Sequence, residues 1–253
     1  MTVTAAPTSR QQNRIDTEAR IVAAARGLLA DGSQVTLRAV ARELGLTAPA
    51  LYRYAASHED LVRMIAIAID SEVAGRVAAA AARQPADDPA AQLIAACVEF
   101  RQWALGNRKE FALVFANVDV ECIKEYDGSS GMVFSGLLVA LWETYRFPVP
   151  ALADLEPGLA EILEVPDAPV DPAMKGDLAG LVWTLTQGWS RLYGTVTLEV
   201  FGHVDARLVA EGHLFRSMIS DQAEPLGLSP ELDRLQDLIG ELLAASPVTT
   251  DDC

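Results

Sequence analysis

The sequence predicts an all-α fold, and three observations lead to that prediction. Apolar residues recur at helical spacing in the long segments of the chain, and no stretch alternates apolar and polar residues as a half-buried strand would. The third observation is the segment Thr36 to Tyr54, TLRAVARELGLTAPALYRY, which has the pattern of two short helices joined by a tight turn. This hairpin is the feature around which the other elements can be placed.

The first helix of the hairpin has one continuous apolar face. Four apolar residues between Leu37 and Leu44 lie at positions i, i+3, i+4 and i+7. Thr36 precedes this face, where its hydroxyl can accept a hydrogen bond from a free backbone N–H. Gly45 follows it, at the point where helices commonly end with a positive φ. Ala41 is the small residue that allows a second helix to cross the first at a steep angle.

The second helix of the hairpin has an unusual outer surface. Thr47 is predicted to cap it, and Pro49 lies in its first turn, where a helix tolerates proline. The outer surface is short-chained, uncharged in its centre and partly aromatic, and it comprises Thr47, Ala48, Pro49, Ala50, Tyr52 and Arg53. Such a surface suits the major groove of DNA, with methyl groups and a phenol facing base edges. The alternative is an ordinary helical hairpin in an all-α protein.

Residues 15 to 65 resemble the DNA-binding head of the TetR family of transcriptional repressors. The matching segments are IVAAARGLLADG at 21–32 and VTLRAVARELGLTAPALYRYAASHEDLV at 35–62. The resemblance implies a homodimer whose paired heads bind a palindromic operator on double-stranded DNA, and a helical body that binds a small effector. The expected fold is therefore an all-α chain in which a three-helix helix-turn-helix DNA-binding head is joined to an α-helical ligand-binding and dimerisation body.

The expected DNA contacts fall into two groups. Residues expected to position the head on phosphates are Thr36, Arg38, Tyr54 and His58. Residues expected to face base edges are Thr47, Ala48, Pro49, Ala50 and Tyr52, with Arg53 beside them. The sequence departs from the usual family pattern at two positions, since Ala55 stands where a phenylalanine is common and His58 stands where a lysine commonly contacts phosphate.

Charge is unevenly distributed along the chain. The 253 residues have a formal net charge of −15, and they are 51% hydrophobic and 22% charged, so the chain can bury a sizeable core. Residues 1–64 hold eight arginines against six acidic residues, a net charge of +2, whereas the remainder holds 12 basic and 29 acidic residues, a net charge of −17. Only the head is therefore expected to approach DNA.

The motif and the resemblance together predict that the chain divides into four segments. The segments are a flexible N-terminal arm at 1–13, a helix-turn-helix DNA-binding domain at 14–60, a helical effector-binding and dimerisation domain at 61–245, and a flexible C-terminal tail at 246–253. The arm is expected to be a solvated tail, although Arg10 and Arg14 could reach a minor groove. The N-terminus lacks the apolar core of a signal peptide, and no apolar run is long enough to span a membrane. Cys97, Cys122 and Cys253 have no metal or redox spacing, so a cytoplasmic protein without a membrane partner is expected.

The body is predicted to consist of successive helices. Their expected ranges, after a first helix at 15–30, are 58–83, 90–105, 109–117, 131–146, 155–164, 172–201, 206–220 and 230–244. Residues 147–173 hold the longest irregular stretch, which is either a functional lid or a tolerated insertion. The segment GWSRLYGTVTLEVFGH at 188–203 resembles the WHG type of TetR-family C-terminal domain, with Tyr193 in place of the histidine.

The resemblance implies an effector pocket in the body, and large side chains there could line it for an apolar or amphipathic small molecule. The candidate lining residues are Trp103, Phe111, Phe115, Met132, Trp142 and Trp183. Two alternatives stay open at this point. Each of these residues could simply fill the core, and the body could bind a protein partner rather than a small molecule.

Small residues recur at intervals of four along the predicted helix 172–201, at Gly176, Gly180, Thr184 and Gly188. Residues spaced by four form one ridge on a helix. Each glycine inside a helix costs about 1 kcal/mol relative to alanine. Close approach of another helix would offset that cost, so the ridge is predicted to form the dimer interface. The alternative is packing within the same subunit, against helix 90–105 or 131–146.

An enzyme is the weakest alternative, and no catalytic residue, metal or cofactor is expected. A di-iron site in a helical body needs Glu-x-x-His pairs on facing helices. The sequence has three histidines, and neither Glu199 with His203 nor Glu211 with His213 has that spacing. A Gly-rich phosphate loop and a nucleophile elbow are also absent from the sequence.

Overall fold

The computed structural model describes residues 8–116, 129–163 and 177–245. This part of the chain is helical and contains no strand, so the all-α prediction is confirmed. Its α-helices are α1 Ser9–Ala30, α2 Leu37–Glu43, α3 Ala48–Leu51, α4 His58–Ala82, α5 Pro89–Gly106, α6 Arg108–Phe115, α7 Ser130–Tyr145, α8 Pro157–Leu163, α9 Leu178–Val200, α10 Ala206–Ala210, α11 His213–Ala223 and α12 Leu232–Ala245. Short 3₁₀ turns at Leu152–Asp154 and Ser229–Glu231 precede α8 and α12.

Helix α1 begins at Ser9, well before the predicted start near residue 15. Thr8 and Gln11 form a capping box, in which the Gln11 backbone N–H donates to the Thr8 hydroxyl and the Thr8 backbone N–H donates to the Gln11 side chain. This reciprocal pair satisfies two backbone donors that would otherwise be free at the helix start. Residues 9–13 of the predicted flexible arm are therefore helical.

The predicted helix 206–220 is two helices, α10 and α11. They are separated at Gly212, whose φ is +66°, a conformation that side-chain-bearing residues rarely adopt. A Cβ added to Gly212 would lie 2.7 Å from Leu243 Cδ1 on α12. Both the backbone conformation and the neighbouring side chain require glycine here, and a periodicity argument could not show this break.

The chain divides into two compact units, and helix α4 belongs to both. Unit 1 comprises residues 1–72 and 109–129, and unit 2 comprises residues 73–108 and 130–253. In unit 1, α1 packs against α2, and α2 packs against α3. The core side chains that hold these helices together are fully buried and comprise Ile21, Ala25, Val40, Leu51, Leu61 and Ile65. The predicted domain boundary after residue 60 stays a prediction.

Arg26 anchors α6 to α1 within unit 1. Its guanidinium makes two hydrogen bonds to the Glu110 carboxylate, of 2.6 and 3.0 Å, and a third of 2.6 Å to Glu72. These bonds raise the pKa of Arg26, and the hydrogen bonding that Arg26 donates to Glu110 is the largest cause. Lys109 Nζ also donates to the Ala30 carbonyl at the end of α1, at 2.7 Å. A bidentate arginine–carboxylate pair fixes orientation as well as distance, so α6 is held to α1 in a defined geometry.

Helix α5 is the central helix of unit 2 and packs against α7, α9 and α12. Most of its residues are buried, including Phe100 and Trp103. This burial explains why the segment is apolar around most of its circumference. Asp88 caps its start by accepting from the Ala91 backbone N–H at 2.9 Å, and Asp88 also pairs with Arg234 of α12.

A buried ion pair joins α5 to the end of α9. Arg101 Nε donates to Glu199 Oε2 at 2.7 Å, and the two side chains are 2% and 0% exposed. The Arg101 guanidinium also donates to the Val209 carbonyl of α10 at 2.5 Å and lies over the ring of Phe215. Burial raises the pKa of Glu199, and Arg101 opposes that rise. The pair thus connects α5, α9, α10 and α11 through one guanidinium.

Candidate DNA-binding face and body cavity

The predicted helix-turn-helix hairpin is present in unit 1. Thr36 caps α2 by accepting from the Ala39 backbone N–H at 3.1 Å. Gly45 has a φ of +65° in the turn, and the Leu46 N–H donates to the Ala41 carbonyl at 2.8 Å. Ala41 is 3% exposed, as expected for the small inner residue of the crossing. The local rules for caps and turns therefore describe α2 and the turn that follows it correctly.

Helix α3 is shorter than the sequence suggests. It ends at Leu51, and residues 52–54 form a turn rather than further helix. Thr47 occupies the N-cap position, but its hydroxyl makes no capping hydrogen bond. The expectation that the Thr47 side chain caps the helix is wrong, so its hydroxyl is not used by the backbone at the start of the helix. The hydroxyl remains at the surface as a donor and acceptor.

The outer surface of α3 is solvent-exposed as predicted. Thr47, Ala48 and Pro49 are exposed, and Ala50 is half-buried. The Tyr52 ring is 51% exposed, although large aromatic side chains are usually buried. Leu51, on the opposite side, is completely buried. The result is an exposed surface of methyl groups, a proline ring and a phenol, which we call the α3 face (Thr47, Ala48, Pro49, Ala50 and Tyr52).

Arginines without carboxylate partners lie on α2 and in the turn after α3. Arg38, Arg42 and Arg53 are exposed, and none of them forms an ion pair within the described ranges. Other arginines of unit 1 do form such pairs, as Arg14 does with Glu18 and Arg26 does with Glu110. Unpaired guanidinium groups beside an uncharged surface are suited to phosphates that flank a groove.

The remaining predicted phosphate contacts lie at the ends of neighbouring helices. Tyr54 is half-buried, and the Arg14 guanidinium of α1 lies 5.9 Å from its ring centroid. His58 is exposed at the first residue of α4. Ser57 caps this helix, because its hydroxyl accepts from the Asp60 N–H at 3.0 Å. The pKa of Glu59 is lowered, first by a backbone hydrogen bond and then by the Ser57 hydroxyl.

Unit 2 contains an apolar cavity between α5, α7, α9 and α11, closed by the segment that leads into α12. About 90 Å³ of it can hold the centres of water-sized molecules, and its empty volume is about 790 Å³ when open solvent is included. The lining residues are Leu93, Ile94, Cys97, Phe134, Leu138, Thr184, Leu185, Gly188, Trp189, Leu192, Met218, Ile219, Gln222, Ala223, Leu226, Leu228, Leu232 and Leu235. We call this the body cavity.

Few polar groups line the body cavity. The Thr184 hydroxyl donates to the Gly180 carbonyl at 2.9 Å, so it can only accept from a ligand. The Gln222 carboxamide is half-buried, and its oxygen lies 3.5 Å from Arg191 Nη1. Cys97 is buried, and burial raises its thiol pKa to about 12, so the thiol stays protonated near neutral pH. The wall therefore offers hydrogen bonds but no formal charge among its described residues.

The residues predicted to bind the effector are not brought together by the structure. Phe111 and Phe115 belong to unit 1, where their ring centroids are 5.2 Å apart. Trp103 and Trp142 are buried elsewhere in unit 2, and Trp142 Nε1 donates to the Phe147 carbonyl. Trp183 is half-buried and Met132 is 56% exposed, and neither they nor the other four line the body cavity. Their role in effector binding stays a prediction, and the residue types that suggested it do not show on which helix face each residue lies.

Trp189 is the lining residue that the sequence pattern indicates most directly. Its ring lies 5.3 Å from Phe100 and 5.8 Å from Phe134, between centroids, in an aromatic cluster at the wall. The signal was the spacing along α9, where Leu185, Trp189 and Leu192 lie on one face at i, i+4 and i+7. The same helical spacing on α11 indicates Met218, Ile219 and Gln222.

The glycine ridge on α9 is divided between two environments. A Cβ on Gly180 would lie 2.3 Å from the Pro150 carbonyl and 2.9 Å from Val149 Cβ, so the same chain occupies that space. The close approach predicted there is therefore made within unit 2, by the segment that follows α7, and the intersubunit expectation is corrected at Gly180. Thr184 and Gly188 line the body cavity, and Gly176 lies outside the described residues.

The described residues contain no group of three or more His, Cys, Asp or Glu side chains able to hold a metal ion. No helix in the described ranges is both long and apolar enough to cross a membrane.

Comparison with known proteins gives matches to both parts of the chain. The family model described as "Bacterial regulatory proteins, tetR family" matches residues 21–65, and the one described as "Tetracyclin repressor-like, C-terminal domain" matches residues 93–222. Curated relatives include the HTH-type transcriptional regulators Rv1816 and MT1864 from Mycobacterium tuberculosis and Mb1846 from Mycobacterium bovis.

Each of these relatives is 33% identical over 110 residues, which is 43% of this chain and 47% of the relative. The chain thus spans about half the length of the curated relatives it matches. Among solved structures, the crystal structure of the regulatory protein SCO4313 is 19% identical, with 94% of this chain and 100% of that chain covered and a TM-score of 0.49.

Proposed function

This chain belongs to the TetR family of DNA-binding transcriptional regulators, and we propose that it is a repressor that binds a palindromic operator as a homodimer and is released by a small apolar or amphipathic effector. The observation that carries the proposal is the α3 face, an exposed and uncharged surface flanked by unpaired arginines. The charge distribution supports it, because the remainder of the chain has a net charge of −17 and repels DNA.

In this proposal the α3 face lies in the major groove of the operator. Thr47 supplies a hydroxyl, while Ala48, Pro49 and Ala50 supply apolar contacts of the kind that recognise the methyl group of thymine. Tyr52 supplies both a ring and a hydroxyl. Arg38 and Arg53, with Thr36, Tyr54 and His58, position the head on the flanking phosphates. Phosphate contacts fix register, and base contacts select the sequence.

The homodimer is expected to place two such heads on successive turns of DNA. The α3 helices of a two-fold dimer must lie about 34–36 Å apart to enter successive major grooves, so the operator is expected to be palindromic. A ridge at the end of α9 suits the interface, and it consists of the half-buried Gly194 with the exposed Leu198 and Phe201, at i, i+4 and i+7, where Phe201 is the residue that caps the helix. Nothing lies within 4 Å of a Cβ added to Gly194, and Leu198 and Phe201 are 41% and 39% exposed.

The body cavity is the proposed effector site. To release the operator, the effector must bind one arrangement of the heads more tightly than the other, since equal affinity for both would shift nothing.

The double substitution Tyr52→Ala with Arg38→Ala is expected to abolish operator binding, with a loss of at least about 100-fold in affinity from one base contact and one phosphate contact. The operator is first selected from random duplex DNA with the wild-type protein, and affinity is then measured by fluorescence anisotropy. Both side chains are exposed, so helicity and oligomeric state should not change. Unchanged operator affinity in the double variant would refute the assignment.

Two controls separate base contact from general charge. Arg83→Ala removes one positive charge from a side chain that is 65% exposed on unit 2, and it should bind the operator as the wild type does. Tyr52→Phe keeps the ring and removes the hydroxyl, so it should lose less affinity than Tyr52→Ala.

The double substitution Leu198→Glu with Phe201→Glu is expected to give a monomer that binds the operator much more weakly. Two carboxylates on each copy would meet in a symmetric interface and would have to be buried without partners. Sedimentation velocity measures the oligomeric state. Ile162→Glu is the matched control, since Ile162 is 79% exposed on α8 and should leave the oligomer unchanged. A Leu198/Phe201 variant that sediments as a dimer would exclude this ridge as the interface.

A further inference from the structure

We propose that the effector of the body cavity is an electrically neutral amphiphile, with an apolar body about 12 Å long and a single hydrogen-bonding end that contacts Gln222. A long-chain alcohol or a primary amide has this chemistry, whereas a fatty acid or a quaternary ammonium amphiphile does not. The inference rests on the proposed function, because it assigns a ligand class to the site proposed there for the effector.

The length of the proposed ligand follows from the helices that form the wall of the body cavity. Lining residues on α9 run from Thr184 to Leu192, which is eight helical steps, or about 12 Å at 1.5 Å per residue. Those on α11 run from Met218 to Ala223, and Leu226 lies in the turn that follows this helix. The wall is therefore longer than a single ring and suits an extended apolar chain.

The side chains of the body cavity exclude a charged ligand. Among the described lining residues Cys97 is the one ionisable group, and its buried thiol is neutral near neutral pH. None of the lining residues that the structure describes has a carboxylate or guanidinium to pair with a charged ligand. A buried ion without a partner costs several kcal/mol, so a charged ligand would lose affinity relative to a neutral one with the same chain.

The residues around Gln222 do not favour the binding of an anion either. Arg191 lies beside Gln222, but it is exposed to solvent, and an exposed pair with a ligand carboxylate would contribute little. Asp221 and Glu224 flank Gln222 on either side in sequence and are also exposed. The net charge of −17 beyond residue 64 adds a general repulsion of anions.

Gln222 is the side chain that can both donate to and accept from a ligand. A carboxamide has two donor hydrogens and an acceptor oxygen, and Gln222 reaches the cavity from α11. Thr184 can only accept, since its hydroxyl donates to the Gly180 carbonyl. An alcohol or amide end can both donate to and accept from the Gln222 carboxamide. Trp189, held between Phe100 and Phe134, gives the apolar part of the ligand a rigid wall.

Three probes with the same ten-carbon chain test the proposal: decanol, decanoate and decyltrimethylammonium. Binding to the full chain is measured by isothermal titration calorimetry in the absence of DNA. We expect decanol to bind and both charged probes to bind at least about 100-fold more weakly, as an unpaired buried charge requires. The proposal is overturned if either charged probe binds within threefold of decanol, or if none of the three binds.

Variants of the wall test the location. Gly188→Leu places a side chain in the cavity where nothing lies within 4 Å of an added Cβ, and it should abolish decanol binding. Gly136→Leu makes the same change at an open, exposed position of α7 and should bind decanol normally. Gln222→Lys should raise the affinity for decanoate and lower it for decanol. Normal decanol binding by Gly188→Leu would overturn the placement.

A separate measurement keeps this inference distinct from the proposed function. Decanol is added to the complex of protein and selected operator, and release of DNA is followed by anisotropy. Binding of decanol with the charge preference above supports the ligand class even if the operator is retained, in which case the effector-released repressor is the idea that fails. Release of the operator by decanol in the wild type, and not in Gly188→Leu, supports both.

Discussion

Replacement of Arg101 by methionine is expected to lower the free energy of unfolding by about 3–5 kcal/mol, the range found when one partner of a buried ion pair is removed. The substitution keeps much of the apolar stem and removes the guanidinium. Glu199 would then be buried without a counter-ion, and the Val209 carbonyl would lose its donor. Urea or thermal unfolding followed by circular dichroism measures the loss.

The pH dependence of this variant gives a second readout. Burial already raises the pKa of Glu199, and removal of Arg101 would raise it further. A carboxyl whose pKa is higher in the folded protein than in the unfolded chain binds its proton more tightly when folded. Its favourable contribution is therefore complete below the unfolded pKa and is lost as pH rises through the folded pKa. The Arg101→Met variant should accordingly be less destabilised at pH 5 than at pH 8.

Two further variants separate the buried pair from ordinary surface pairs. Arg101→Met combined with Glu199→Leu should recover much of the lost stability, because an apolar pair of similar volume leaves no unpaired charge. Arg207→Met removes a guanidinium whose side chain is 88% exposed beside Asp205, and it should change stability little. Equal effects of Arg101→Met and Arg207→Met would show that burial of the Arg101–Glu199 pair has no energetic consequence.

Gly180→Leu is expected to destabilise the protein by about 3 kcal/mol or more, the upper range for overpacking. The Cβ itself would lie 2.3 Å from the Pro150 carbonyl oxygen, so no side-chain rotamer relieves the clash and the backbone must shift. Gly188→Leu is the matched control, because it lies two turns further along α9 with open space beyond its Cα. Gly188→Leu should therefore stabilise the helix by about 1 kcal/mol at most, which is the gain from replacing a glycine inside a helix.

The two glycine variants also test whether Gly180 packs within its own chain or against a partner subunit. Gly180→Leu should melt at a lower temperature whatever the protein concentration, since the contact lies within one chain. If instead its unfolding matched the wild type and its dimer dissociated, Gly180 would face a partner subunit after all. Thermal melts over a wide concentration range distinguish these results, because the stability of an obligate dimer depends on concentration.

Local chemistry determined the head almost completely. The Thr36 cap, the positive φ of Gly45 and the buried Ala41 follow from residue types at fixed offsets, and all three are present. The exposure of Tyr52 could also be inferred, since the buried side of the same short helix was already occupied by Leu51. Such features depend on neighbours within a few residues, so the sequence contains the information needed to predict them.

The sequence by itself determined the all-α class, the hairpin, the separation of charge and the family. Only the tertiary structure decided which apolar side chains surround an empty space and which fill the core. It placed Trp189 rather than Trp103 at the cavity, filled the space at Gly180 with Val149 and Pro150, and divided the predicted helix 206–220 at Gly212. These outcomes depend on residues far apart in the chain, and hydrophobic burial is non-directional, so periodicity along one helix could show that a face is buried but could not show against what.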